Sequence, residues 1–305
     1  MSYGHRVART KKLFAALTRR GPHRVLRGDL AFAGLPGVVF TPESGMNLAG
    51  VAFGHHWLTG VERYSATLEH LASWGIVAAA PDTQRGLAPS VLDFAFDLGT
   101  ALDIVAGVRL GPGEISVHPT KLGLVGHGFG GSAAVFAAAG MRGHPNVTNV
   151  TNATNVAGPA VPAPKAVAAI FPTVTTPPAE QPAATLRIPG VVFSAPGDSV
   201  TLNSNALGLS RVWDGAVLRT VSKAKAAGLS EGRRLTTIVG MPGPDRKTQK
   251  AVRGLLTGYL LYVLTGDKTY REFADPDAQL PRTDEVPSAL APATPEDKVV
   301  ALLKR

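Results

Sequence analysis

The chain has no cysteine among its 305 residues. This absence excludes a disulfide scaffold, a thiol nucleophile, a zinc ribbon and an iron–sulfur cluster. No stretch reaches about 18 uninterrupted apolar residues, so the sequence predicts no membrane-spanning helix. No apolar segment follows the basic N-terminus, so we expect no signal peptide and a cytoplasmic location. Apolar residues make up 45% of the chain, which predicts a sizeable core rather than disorder.

Acidic residues are absent from the first 28 residues. This segment holds eight of the 31 basic residues, and the other 23 stand against 22 acids. The net charge of +9 therefore describes a basic N-terminal arm, residues 1–28, rather than a basic body. Within the arm, Leu13, Phe14 and Leu17 fall roughly on one stripe of a helix that Gly21 would end.

Three interpretations of this arm stay open. A helix packed on the body with a solvated basic face is the most common fate of a charge run. A basic amphipathic helix also binds anionic membrane surfaces or a partner protein, which would make the protein peripheral to a membrane. In the third interpretation, the arm pairs with the chain's own acidic stretch at residues 272–297. Few aromatic residues accompany the arm, so we expect no nucleic-acid binding.

Strand-like and helix-like segments alternate along the chain. Strands are predicted at Gly37–Phe40, Leu48–Phe53, Ile76–Ala80, Lys121–Val125, Ala166–Phe171, Gly190–Phe193 and Leu235–Val239. Helices are predicted at Val61–Ser73, Ser90–Val108, Ser132–Met141, Val212–Ala227 and Lys247–Leu264. This alternation is typical of an α/β protein with a mostly parallel sheet and helices on both faces.

Two stretches interrupt the alternation. Residues 143–164 are rich in Asn, Thr and Pro, which is typical of a low-complexity loop. Residues 267–305 are Pro-rich and acidic, and we expect a surface tail that ends in a short helix. The sequence therefore predicts an arm at residues 1–28, a domain at residues 29–266 and a tail at residues 267–305.

The most informative segment is Leu122–Ser132. An apolar strand ends in Gly-His-Gly-Phe-Gly-Gly, and an Ala-rich helix follows. This is the strand–turn–helix context of a nucleophile elbow, G-x-S-x-G. Glycines at 126 and 130 let the strand and the helix approach closely across a strained turn. The middle position should be serine, but here it is Gly128.

The ordered motifs resemble those of α/β-hydrolases in the dienelactone hydrolase, chlorophyllase and polyester-hydrolase branch. Besides the elbow, Ala52–Trp57 resembles the family's first oxyanion strand, and His70–Asp82 resembles its next helix and strand. Ile188–Asp198 resembles the strand that delivers the acid. Gly266–Tyr270 resembles the closing segment of actinobacterial members. The resemblance covers roughly residues 25–285 and implies an α/β-hydrolase fold with a mostly parallel sheet of about eight strands.

Carried over from the family, the active site is incomplete. The resemblance places the nucleophile at Gly128, the acid at Asp198, and the oxyanion donors at the backbone of Trp57 and Phe129. The catalytic histidine should follow the last strand, near Gly240–Asp245, but the segment contains none. The chain thus lacks both the attacking oxygen and the base that activates it.

Four further residues are candidates for the cleft. His56 replaces the family's glycine before Trp57, so an imidazole stands where a small residue leaves room for substrate. Ser132 is a conceivable rescue nucleophile, one helical turn beyond Gly128. His55 is the family's structural histidine, and together with His56, His127 and the acid it suggests a metal cluster. The spacing matches no established metal motif, so we expect no metal and no cofactor.

Two functions from different classes follow from these residues. The first is a catalytically impaired pseudo-hydrolase that acts as a binding or scaffold protein for a small apolar ligand or a protein partner. The alternative is a hydrolase of carboxylic esters or lactones with a displaced catalytic set. The fold alone does not choose between them.

Overall fold

The structure, a computed structural model, describes residues 3–140, 163–198, 201, 203–232 and 243–284. The low-complexity loop up to residue 162, the predicted strand at Leu235–Val239 and the tail beyond residue 284 lie outside the described residues.

A single sheet organises the described part of the chain. Its nine strands are β1 (Val25–Asp29), β2 (Gly37–Pro42), β3 (Gly45–Gly54), β4 (Ile76–Pro81), β5 (Ile115–His127), β6 (Ala166–Ile170), β7 (Gly190–Ser194), β8 (Ala216–Val221) and β9 (Thr283–Asp284). The described helices are α1 (Tyr3–Leu17), α2 (Ser65–Ser73), α3 (Val91–Gly107), α4 (Phe129–Ala138), α5 (Glu180–Ala183), α6 (Ala206–Val212) and α7 (Arg246–Thr265).

The strand order is β1-β2-β4-β3-β5-β6-β7-β8-β9. The six central strands from β4 to β8 run parallel to one another. Antiparallel pairing is confined to β1 with β2, β2 with β4, and the two-residue β9 with β8. The predicted α/β class with a mostly parallel sheet is therefore confirmed, and the strand count among the described residues is nine rather than about eight.

Both faces of the sheet are buried. One face packs against α1, α2 and α7, and the other packs against α3, α4, α5 and α6. All five residues of β6 are buried, as are the first five of β4. Continuous apolar runs of this kind suit parallel strands that are covered on both sides.

The predicted helix at Val212–Ala227 is wrong. Helix α6 ends at Val212, and strand β8 begins at Ala216. Between them Gly215 adopts a φ of 84°, a left-handed turn that a continuing helix cannot contain. Pairing with β7 then holds the following residues in the extended conformation, whatever helical spacing their apolar side chains show.

The basic arm contains the expected helix, and its apolar side is packed on the body. Phe14 is 9% exposed and Leu17 is fully buried. Gly254 of α7 allows this approach, because a Cβ atom there would lie 3.0 Å from the ring of Phe14. Thr10 also donates a hydrogen bond to Glu272 of the acidic stretch, over 3.3 Å. The arm therefore packs on the body through its apolar side, and a neutral threonine contacts the acidic stretch.

The acidic stretch is partly structured where it is described. Residues Lys268–Phe273 form a 3₁₀ helix, and Thr283 pairs with Val221 at the sheet edge. Within the described ranges, no helix is both long and apolar enough to cross a membrane.

Helix α1 meets the body beside a buried histidine. The side chain of His70 is 7% exposed, and its ring hydrogen-bonds to the backbone of Leu17. Its Nε2 has no hydrogen-bond partner in the described part of the chain, so Nδ1 is the atom that donates to the Leu17 carbonyl. Burial, and then the nearby charge of Arg253, lowers the pKa of His70 to about 4. The ring is therefore neutral in the folded protein at neutral pH.

We expect His70 to make folding stability depend on pH. The unfolded chain protonates this ring below pH 6.5, but the folded protein does so only near pH 4. The stabilisation that comes from keeping this ring neutral is therefore complete above pH 6.5. It is lost as the pH falls, which lowers the free energy of unfolding by up to roughly 3 kcal/mol. His70→Asn keeps a donor near the position of Nδ1 and does not titrate. Urea unfolding between pH 4 and 8 measures the free energy of unfolding of both proteins. The difference between wild type and variant should be constant above pH 6.5 and decline below it. A difference that stays the same at every pH would contradict the assignment.

Candidate functional site

The strand order reverses between β3 and β5. From β3 the chain continues to β4 on one side, whereas β5 and β6 lie on the other side. In open α/β sheets the crevice at the carboxyl ends of such strands is the usual place for a ligand. Here β3 is followed by His55 and His56, and β5 ends at His127 before Gly128 and helix α4. The predicted site residues of these two segments therefore meet at one edge of the sheet.

Glycines allow the elbow to form. A Cβ atom on Gly126 would lie 2.1 Å from the carbonyl oxygen of Gly130, and one on Gly130 would lie 2.3 Å from the backbone of Gly54. Helix α4 therefore touches both strands backbone to backbone. The turn residue Gly128 has a φ of 55°, and α4 begins directly after it at Phe129. The predicted strand–turn–helix context is confirmed.

His56 fills the space that a side chain at residue 128 would occupy. A Cβ atom on Gly128 would lie 2.0 Å from the His56 Nδ1 atom. The backbone N–H of Phe129 donates to the same Nδ1, over 3.3 Å. The expected oxyanion donor is thus directed at an imidazole nitrogen, where an acyl-transfer enzyme would direct it at substrate oxygen.

A buried tyrosine links the two histidines. Tyr64 is fully buried, and its hydroxyl donates to His127 Nδ1 over 2.8 Å and accepts from the His56 backbone N–H over 3.1 Å. His127 Nε2 lies 2.9 Å from the carbonyl oxygen of Ala226. A carbonyl can only accept a hydrogen bond, so Nε2 must carry a hydrogen. The network therefore places a proton on His127 Nε2, which donates to Ala226. Tyr64 is not identifiable from the sequence, because only folding brings it beside a residue 63 positions away.

His55 is a structural residue. Its side chain is fully buried, with Nδ1 3.0 Å from the His56 carbonyl and Nε2 2.7 Å from the Thr83 carbonyl. Burial lowers the pKa of His55, and the two carbonyls oppose that effect. A neutral ring donates to one carbonyl, and the shorter contact points to Thr83. The ring thus ties the loop after β3 to the loop after β4.

Asp198 lies after β7, where the resemblance implies the acid. Its carboxylate accepts the Ala195 backbone N–H over 2.8 Å and a hydrogen bond from Ser204. Burial raises the pKa of Asp198, against these two hydrogen bonds. The carboxylate therefore closes its own turn.

Ser132 is enclosed in helix α4. Its side chain is fully buried, and its hydroxyl donates to the Thr173 carbonyl over 2.5 Å. A substrate carbonyl has no access to this oxygen in the folded arrangement, so Ser132 serves packing. The described residues also hold no group of three or more His, Asp or Glu side chains that could bind a metal ion.

The expected position of the catalytic histidine, Gly240–Asp245, lies partly outside the described residues, and the predicted strand before it lies wholly outside them. Among the described strands β8 is the last parallel one, and residues 222–225 follow it. Ala226 of the same loop contacts His127 at the elbow. Asp245, from the predicted position, instead caps α7 by accepting the Thr248 backbone N–H over 2.9 Å. The loop after β8 carries Lys223 and no histidine.

Exposed apolar side chains lie on the loops that follow β3 and β4, at the carboxyl edge of the sheet where the mouth of a crevice is expected. Trp57 is 44% exposed, and its indole N–H donates to the Gly86 carbonyl over 3.2 Å. The neighbouring Leu58 and Leu87 are 52% and 82% exposed. We call these three side chains the mouth residues. Together they offer an apolar contact beside the elbow.

A cavity lies away from the elbow. It has a volume of about 690 Å³ and lies beside β8, where Lys11, Leu218, Leu280 and Asp284 are among its lining residues. None of the predicted site residues lines it. The elbow remains the candidate site, because the strand reversal and the glycine turn occur there.

Comparisons with protein-family models and with curated proteins find no match for this chain. The functional assignment therefore rests on the elbow, the side chains around it and the motifs in the sequence.

We expect Tyr64→Phe to lower the free energy of unfolding by about 2 kcal/mol, because two buried hydrogen bonds of about 1 kcal/mol each are lost. Tyr259→Phe is the matched control. Tyr259 is 1% exposed, and its hydroxyl has no hydrogen-bond partner among the described residues. Removing that hydroxyl should leave stability unchanged or raise it. Chemical denaturation measures both variants, and equal destabilisation would remove the proposed role of the Tyr64 network.

Proposed function

We propose that this protein is a non-catalytic binding protein built on an α/β-hydrolase fold. Three features support the fold. The elbow follows the central strand β5, Asp198 follows β7, and the loop after β8 returns to the elbow. This chain order matches the Ser, Asp, His order of α/β-hydrolases.

The position of His56 carries the proposal. The elbow has no side chain at residue 128, and the imidazole occupies the volume where a nucleophile's Cβ would lie. The same ring takes the Phe129 N–H. A substrate carbonyl would have to displace this ring before it could reach the Phe129 donor.

The magnitudes favour loss of catalysis. In subtilisin, removing the serine or the histidine of the triad costs on the order of a million-fold in turnover. The residual rate, roughly 10³–10⁴-fold over water, depends on an available oxyanion hole. Here residue 128 is not a serine, no histidine follows β8 in the sequence, and the Phe129 donor is occupied by His56.

The alternative, a carboxylic-ester or lactone hydrolase with displaced groups, has weaker support. Its candidate nucleophile Ser132 is buried and bonded to a carbonyl. Its candidate acid Asp198 is bonded within its own turn. No described histidine lies beside either of them in a nucleophile–base arrangement.

The mouth residues indicate what the protein binds. An exposed indole next to two exposed leucines offers apolar area, while the indole N–H is already satisfied by Gly86. Such a surface suits a small apolar ligand or an apolar side chain of a partner protein.

We expect the wild-type protein to give no turnover of p-nitrophenyl butyrate above the protein-free blank, and no labelling by a fluorophosphonate probe. Gly128→Ser should also be inactive, because the new side chain meets His56 and no histidine activates it. An active serine hydrolase in parallel shows that both assays work. Labelling or turnover that Ser132→Ala and Asp198→Ala abolish would establish the alternative.

We expect Leu87→Ser to weaken binding of the neutral apolar dye Nile red about fivefold, which corresponds to partial loss of one buried leucine. Val108→Ser is the control, since Val108 is 45% exposed and follows the far end of α3. A fluorescence titration measures both variants, and equal affinities for all three proteins would show that the dye does not bind at the mouth.

A further inference from the structure

The exposed cations of residues 9–27 form a second surface, which is separate from the candidate site. We call it the basic surface, and it consists of Arg9, Lys11, Lys12, Arg19, Arg20, Arg24 and Arg27. The first 28 residues contain no acid that could neutralise it from within.

Helix α1 divides its residues between two sides. Thr10, Phe14 and Leu17 are buried against the body. The exposed residues of the same helix are the cations and the small side chains of Ala8, Ala15 and Ala16. The alanines leave the charges as the most protruding groups of the outer side. Because the apolar side is already used for packing, this side interacts with a partner through charge.

Most of these charges are not neutralised by neighbours. Arg20 pairs with Glu69 over 3.5 Å and Arg24 pairs with Glu43 over 3.4 Å, and all four side chains are largely exposed. Such exposed pairs are weak. Within the described ranges, Arg9, Lys12 and Arg19 have no ion pair.

The basic surface lies at the end of the sheet opposite to the elbow. The indole of Trp74 donates to the Arg19 carbonyl over 3.1 Å, and the Gly21 N–H donates to Ser73 Oγ over 2.8 Å. Both partners lie at the end of α2, immediately before β4 begins at Ile76. This is the amino end of the parallel strands, whereas the elbow lies at their carboxyl ends.

We propose that the basic surface docks the protein onto an anionic membrane surface by electrostatic attraction. The cations are spread over a helix, a turn and a strand. The only Phe, Tyr or Trp residue among residues 9–27 is Phe14, which is buried and offers no surface on which a nucleic-acid base could stack. A plane of anionic headgroups takes such charges without a fixed register, and each one near the surface contributes about a fivefold gain in binding. Helix α1 stays packed on α7 in the bound state. This proposal is independent of the proposed function.

The test uses the full chain and vesicles of phosphatidylcholine with about 30% phosphatidylglycerol, as a probe composition, at about 50 mM salt, where screening is modest. The triple variant Arg9→Gln, Lys12→Gln, Arg19→Gln should bind roughly a hundredfold more weakly in co-sedimentation. The control variant Lys223→Gln, Arg246→Gln, Lys247→Gln removes the same charge at the carboxyl end of the sheet, and should bind as wild type.

Several results would overturn the proposal. These are no binding of wild type to the anionic vesicles, equal binding to pure phosphatidylcholine, or equal loss in the two triple variants. Tighter binding to a DNA duplex than to vesicles, lost in the first variant, would assign the surface to nucleic acid. Hydrogen exchange of residues 8–17 completes the test: retained protection on vesicles supports docking by charge, and lost protection would mean that α1 leaves the body and inserts.

Discussion

The contact between Gly130 and the two central strands positions everything at the candidate site. Gly54 and Gly126 present backbone, rather than side chains, to the first turn of α4. This fixes the helix against the sheet, sets the left-handed turn at Gly128 and aims the Phe129 N–H at the carboxyl edge. A methyl group at position 126 or 130 would separate the helix from the sheet, and the alignment of that N–H would be lost.

This turn is suited to a reactive group, but its polar groups are satisfied from within the protein. His56, Tyr64, His127 and Ala226 form a chain of hydrogen bonds that joins the loop after β3, the turn before α2, the end of β5 and the loop after β8. In a low-dielectric interior such a network stabilises one conformation, because an unpaired member would be costly. The geometry that an enzyme uses to hold a transition state here holds four segments together.

Local patterns determined how much of the fold the sequence could predict. The strands from Gly37 to Phe193 are apolar runs bounded by turns, and their alternation with helices predicted the sheet. Strand β8 is not predictable from local pattern, because its apolar residues also fit a helical stripe and a single glycine, Gly215, is the only sign of the turn before it. The elbow was recognisable because four glycines fall within six consecutive residues, directly after an apolar strand. The sequence shows only that His56 replaces a glycine before Trp57. It does not show that His56 overlaps the side-chain position at Gly128, because the distance between residues 56 and 128 depends on how β3 and β5 pair.

The overlap between His56 and the side-chain position at residue 128 couples the two residues. Any side chain at position 128 would meet the His56 ring, so Gly128 can be replaced only if that ring rotates away or is itself replaced. A smaller residue at position 56 would free this space and would also release the Phe129 N–H. The two positions are therefore one compound determinant of what the turn can hold, and single substitutions at either position report on the pair.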